Sequence, residues 1–184
     1  MNAYQNFLDF FSMHNKERLD GLSESYFTAM TPAERGTEES VHGLFRADPV
    51  HAVEVMERRL DEGTLSGEAQ IAAAWNLRRN GSDTDFLPIF IRYMSSPDRH
   101  LRRKAAYFVP AEFSYELKAA LQAMIRTENE QLPRIHAVDT LLACYGVSEE
   151  SVGDDMYCCL YLGLHSEDPS AKERAFKRLD ALYE

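Results

Sequence analysis

The chain has 184 residues, 45% hydrophobic and 11% aromatic, with 20 basic and 30 acidic side chains and a formal net charge of −10. A chain of this length fits one domain and buries roughly 70% of the surface its unfolded form exposes. The apolar content argues against disorder, and the charge disfavours broad binding to nucleic acid or acidic membranes.

In chain order, Tyr4, Phe7, Leu8 and Phe11 make one apolar stripe, and Leu19, Leu22, Tyr26, Phe27 and Met30 make another. Both read as aromatic cover for a core. Thr31-Pro32 with Glu34 is a capping-box start and predicts a helix over 32–46. Asp48-Pro49 starts the next, with Val50, Val53, Met56 and Leu60 as its buried stripe. Ser66 caps a helix that carries Ala69, Ala73, Trp75 and Leu77, and Asn80-Gly81 ends it. Leu87 to Val109 reads as two helices broken at Ser96-Pro97, with Ser as cap and Pro in the first helical position. Pro110 blocks continuation. Ser114 caps a helix carrying Leu117, Leu121, Met124 and Ile125, and Ile135, Val138, Leu141 and Leu142 mark a helix over 132–145. Ser148 starts a helix over Val152, Met156, Leu160 and Leu164. Asp168-Pro169 starts the last, with Ala171, Ala175, Leu179 and Leu182. No segment alternates with period two, so no sheet is expected.

A repeat lies beneath these helices. Aligning on Ala73, Ala105, Ala137 and Ala175 gives spacings of 32, 32 and 38 residues. Four positions later stand Leu77, Val109, Leu141 and Leu179. Three positions earlier stand Gln70, Arg102, Arg134 and Lys172, and seven earlier Ser66, Asp98, Glu130 and Asp168. A small residue permits close helix approach, and the aliphatic one fills the groove beside it. In three copies acid and base stand four apart, acid first, which predicts an ion pair within each of those helices; the Ser66–Gln70 copy lacks both charges.

These columns, best seen in PDRHLRRKAAYFV and EDPSAKERAFKRLDAL, resemble the HEAT-repeat family of α-solenoids over about residues 50–184. The resemblance implies an all-α, right-handed α-α superhelix of stacked antiparallel helix pairs. It implies one domain over 1–184, with 1–48 as an N-terminal helical cap and 49–184 as about four helix pairs. It also implies a curved face lined by second helices, commonly used to bind protein, and no single activity.

Candidate chemistry is sparse. Cys144, Cys158 and Cys159 make an odd count with an adjacent pair, which is no disulfide framework and reads as reduced, buried, structural thiols. His14, His42, His51, His100, His136 and His165 form no metal-ligand motif. No phosphate loop or nucleophile–base signature is present, so no catalytic residue, cofactor or metal is expected. Acid pairs Glu38-Glu39, Glu149-Glu150 and Asp154-Asp155 fall at helix starts, where they complement the dipole. The first residues, MNAYQNFLDFF, lack the basic region of a signal peptide, and no apolar run approaches the ~18 residues of a membrane span. A cytoplasmic location is expected.

Two positions after each anchor alanine stand Trp75, Tyr107, Asp139 and Lys177. That column points away from the core, towards the face second helices present. Trp75, Tyr107 and Asp139, with Arg103 from the basic cluster Arg99–Lys104, are therefore the candidate partner-binding residues. Residues 1–66 carry 6 basic and 12 acidic groups, 67–145 carry 10 and 9, and 146–184 carry 4 and 9. Small size, acidity and the absence of a catalytic motif give a profile similar to bacterial immunity proteins, which neutralise a cognate toxin. The expected function is non-catalytic protein binding, with a basic toxin as the partner that −10 would steer in. The alternatives are a HEAT-like DNA glycosylase, which would need a basic concave face, and a scaffold or adaptor.

Overall fold

A computed structural model describes residues 37–183. The stripes at 4–11 and 19–30 and the Thr31-Pro32 start lie outside the described residues. Among the described residues the chain is all-α, with ten helices and no strand. They are α1 Glu38–Ala47, α2 Pro49–Asp61, α3 Gly67–Arg79, α4 Leu87–Met94, α5 Arg99–Phe108, α6 Tyr115–Thr127, α7 Gln131–Cys144, α8 Glu149–Val152, α9 Asp154–His165 and α10 Pro169–Tyr183. No described helix is long and apolar enough to cross a membrane.

Capping side chains set most helix starts. Asp48, Ser66 and Ser114 each accept a hydrogen bond from a backbone N–H in the first turn of α2, α3 and α6, satisfying donors that no intrahelical carbonyl reaches. Three starts differ from expectation. The helix expected over 32–46 does not run through Thr37, which is extended and caps α1. Asp98, not Ser96, caps α5, accepting from the His100 N–H at 2.8 Å, so Pro97 precedes the cap. The helix expected from Ser148 is broken in two, because Gly153 adopts φ +82° between α8 and α9. That left-handed geometry costs glycine little and other residues more.

The chain divides into two compact units between Ile89 and Phe90. In the first, α1, α2 and α3 each pack against the other two. Val41, Leu44, Ala52, Val55, Met56, Ala69, Ala73 and Leu77 are buried there. The buried face of α2 is rotated from the expected stripe: Val50 is 84% exposed and Ala52 and Val55 point inward instead. Val50 sits in the first turn of α2.

In the second unit, α7 packs against α5, α6 and α9, and α10 packs against α9 and α6. The α6, α7, α9 and α10 contacts close into a square, with α5 beyond α7. The connection between α9 and α10 is three residues, so the two must reverse direction as a hairpin. All four anchor alanines are buried, as are Leu77, Val109, Leu141 and Leu179. Helix α10 lies along α9, its partner in the terminal hairpin. A Cβ added at Gly163 would stand 2.9 Å from the Ala175 Cβ, so glycine permits this crossing.

The ion pairs expected within helices are replaced by pairs between elements. Arg102 Nε and Nη2 donate to Glu128 at 2.5 and 2.9 Å, and its Nη1 donates to the Ser96 and Pro97 carbonyls. Arg134 Nη1 donates to Glu167 Oε1 at 2.7 Å. Lys172 is buried and donates to the Ile125 carbonyl at 3.1 Å. Helical side chains lean toward the N-terminus, so a long base one turn into a helix reaches incoming loops and the neighbouring hairpin. Asp98 and Asp168 are engaged as helix-start acceptors instead.

Burial alone would raise the Glu128 carboxyl, but the Arg102 hydrogen bonds and the Glu130 backbone N–H outweigh it and hold it below its ordinary value. A carboxylate depressed in the fold contributes stability above its unfolded pKa, which is lost as pH falls through the folded pKa. Arg102→Ala should cost about 3 kcal/mol in urea unfolding at pH 7, because a buried carboxylate loses its partner. The cost should shrink at acid pH; one that grows on acidification would contradict the pairing. Gly163→Ala should destabilise the protein by about 1 kcal/mol in thermal melts, overpacking outweighing the gain in helix propensity. A stabilised variant would refute the close crossing.

Candidate partner-binding surface

The surface that gathers chemistry in the second unit is a ridge across α5, α7 and α9. Tyr107 on α5 is 61% exposed, and its ring meets the His136 imidazole edge-on at 4.9 Å. Asp139, one turn beyond His136 on α7, is exposed. On α9, Tyr157, Tyr161 and His165 follow at intervals of four, so they line one face. Tyr157 stacks on Tyr161 at 6.0 Å, and Tyr161 meets His165 at a tilt, 4.5 Å between ring centres. The field of Asp139 reaches the rings of His136, Tyr157, Tyr161 and His165.

The electrostatics follow from this grouping. His136 is held below its ordinary pKa by burial first, then by Arg103, with Asp139 opposing. His165 is lowered by burial, then by Arg134 and Lys172, again with Asp139 opposing. Burial and the Asp139 charge both raise Tyr157 and Tyr161. Near neutral pH the ridge therefore presents neutral aromatic and imidazole rings, with Arg103 and Asp139 among the charges that flank them. Aromatic rings supply large contact area at low entropy cost and can also hydrogen-bond, the composition favoured at binding hot spots.

Three expected residues, Arg103, Tyr107 and Asp139, come together here. His136, Tyr157, Tyr161 and His165 were not among them, although the four-residue spacing along α9 was a readable signal. Trp75 belongs to the other unit. It is half-buried, with His42 edge-on at 5.6 Å and the Arg79 guanidinium over its ring at 4.5 Å. His42 in turn lies 3.6 Å from Glu38 and 2.9 Å from Asn76 Nδ2. Trp75 thus sits, half-buried, within a polar cluster of the first unit.

A second aromatic group closes one end of the second unit. Phe113 stacks on Tyr183 at 4.3 Å, and Tyr145 meets both edge-on. Tyr145 Oη donates to Asp180, which also accepts from Lys118 Nζ. Burial, then the Asp180 hydrogen bond, pushes Tyr145 up to about 12. These contacts tie α6, α7 and α10 together. The cysteines divide: Cys144 is buried, and burial pushes its thiol up to about 11, whereas Cys158 and Cys159 are exposed. The expectation of buried thiols therefore fails for this pair, because both face outward from α9. Arg178 Nη1 donates to Cys159 Sγ at 2.7 Å. Among the described residues, no three His, Cys, Asp or Glu side chains converge as a metal-holding group.

No protein-family model, curated protein or solved structure matches the chain.

Trp75 is the single tryptophan, so its fluorescence reports on His42. Burial holds His42 below its ordinary pKa, with Glu38 opposing. An imidazolium quenches an adjacent indole more than the neutral ring does. Emission should therefore fall as the pH drops through a midpoint below 6.5, the ordinary histidine value, and His42→Gln should abolish the step. Because unfolded His42 binds protons more readily, its contribution also makes stability decline with acidification below that ordinary value. A midpoint above it, or an unchanged step in the variant, would contradict the assigned contact.

Proposed function

We propose that the protein is a non-catalytic binding module, a small HEAT-like α-solenoid that holds one protein partner against the α5–α7–α9 ridge. The observation that carries this reading is the row of Tyr107, His136, Tyr157 and Tyr161, exposed or half-buried on three consecutive packed helices. The anchor-alanine column supports the solenoid reading, with the terminal hairpin turned so that α9 takes the place beside α7. The ridge is polar-aromatic rather than purely apolar, as suits a protein that exists both free and bound.

The partner class is a basic protein, and the biological role is inhibition of a cognate toxin encountered in the cytoplasm. A net charge of −10 would accelerate encounter with such a partner and make association fall with salt. The ridge then supplies the short-range contacts that keep the complex together.

The test is capture of the partner from the native host by the tagged full chain, at low and then moderate salt, beside Tyr107→Ala and Tyr161→Ala. A single basic protein should be recovered, with association slowed by salt. Each substitution should weaken the purified complex about tenfold or more, as hot-spot truncation does. Recovery of nucleic acid, or of proteins whose binding neither substitution alters, would overturn the reading.

A further inference from the structure

At one end of the ridge, Gln131, Arg134, Ile135, Tyr161 and His165 line a concavity of about 430 Å³ between α7 and α9. Two nitrogens in its wall have no hydrogen-bond partner among the described residues: Arg134 Nε, a donor, and His165 Nε2, which donates when the ring is protonated there, both buried. An unpaired buried polar nitrogen is costly, and two in the wall of one concavity point to a ligand that satisfies both. The same guanidinium already holds one carboxylate. Arg134 Nη1 donates to Glu167 Oε1 at 2.7 Å, yet the Glu167 side chain is 81% exposed while that of Arg134 is only 12% exposed. The acid of this pair is held from one side and lies open to exchange with another carboxylate.

We propose that this concavity is a carboxylate pocket, in which the side chain of one aspartate or glutamate from the bound protein displaces Glu167 and is held by the Arg134 fork and the His165 imidazole. The proposal deepens the partner-binding reading and rests on it for the source of the carboxylate. Displacing Glu167 frees the guanidinium to turn and present two parallel N–H donors, the geometry that favours arginine for carboxylates. Tyr161 and Ile135 provide apolar walls for the aliphatic stem. The charged and titratable groups acting on His165 are Arg134 and Asp139 of α7 and Lys172 of α10, with Tyr161 tilted against it from its own helix. With Glu167 paired to Arg134, two cations face two anions here, so displacing Glu167 leaves Arg134 in need of a replacement carboxylate. Long-range attraction and close anchoring thus recognise different groups on one partner. A carboxylate in the pocket favours the imidazolium, so its binding tightens as pH falls through the His165 titration.

The test uses the full chain with isotope-labelled histidine, read by nuclear magnetic resonance at the His165 ring. The probes are glutamate blocked at both backbone ends, the equally blocked glutamine, and inorganic phosphate, at constant ionic strength. Blocked glutamate should shift the His165 resonances saturably, with a roughly millimolar dissociation constant, and raise the His165 pKa. Blocked glutamine should not. Glu167→Gln, a change at an exposed side chain, should tighten blocked glutamate several-fold by removing the competing acid, and Arg134→Gln should abolish the shift. No saturable shift in either the natural chain or Glu167→Gln, or an undiminished shift in Arg134→Gln, would overturn the pocket. Phosphate binding about tenfold tighter than glutamate would replace the carboxylate assignment with a phosphate one. Because the titration needs no partner, its failure with successful partner capture removes the pocket alone. A saturable titration with no partner recovered would instead remove the partner-binding reading.

Discussion

Helix α7 packs against three neighbours at once, and that crowding determines what the second unit can show to solvent. Ala137, Val138, Leu141 and Leu142 are all buried within it, and Thr140 donates to the Ala106 carbonyl of α5 at 2.7 Å. A helix enclosed on three sides keeps one open strip. On α7 that strip carries His136 and Asp139, one turn apart. The flanking helices add Tyr107 on one side and Tyr157, Tyr161 and His165 on the other. The ridge thus follows from the packing: residues that cannot enter the α5–α7–α9 core are gathered where those helices lie side by side.

Fixed bases lock this arrangement. Arg102 joins the start of α5 to the loop before α7, Arg126 joins α6 to Glu173 of α10 at 2.6 Å, and Lys172 reaches from α10 to a backbone carbonyl of α6. The first and last involve buried partners and resist solvent competition more than the exposed Arg126 pair does. The consequence for function is positional. The carboxylate pocket lies between α7 and α9, whose relation is held by α6 and α10 behind them, so Arg134 and His165 meet a ligand on a supported wall.

Much of the fold was legible because local chemistry and tertiary packing agreed. The capping residues Asp48, Ser66 and Ser114 and the anchor alanines carry signals that depend on a turn or two of chain. The failures came where tertiary structure decides. The sequence suited Asp98–Arg102 as a pair within one helix, but Glu128 supplies a buried, two-oxygen acceptor that only the fold brings near. Val50 has the right spacing for a buried stripe, yet the inward face of α2 is set by Ala52, Val55 and Met56. Cys158 and Cys159 suit a core, yet the buried face of α9 is set by Leu160 and Leu164. For the candidate site, outward orientation at Tyr107 and Asp139 could be read from helical phase. The convergence with Tyr161 and His165 could not, because α9 rather than α10 lies beside α7.

Hydrogen exchange across the full chain, with and without its purified partner, tests the central claim most directly. The account predicts that added protection concentrates in peptides spanning Arg103–Tyr107, Arg134–Asp139 and Tyr157–His165. Protection confined to the helices around Trp75, or to the Phe113–Tyr183 end with the ridge unchanged, would contradict it.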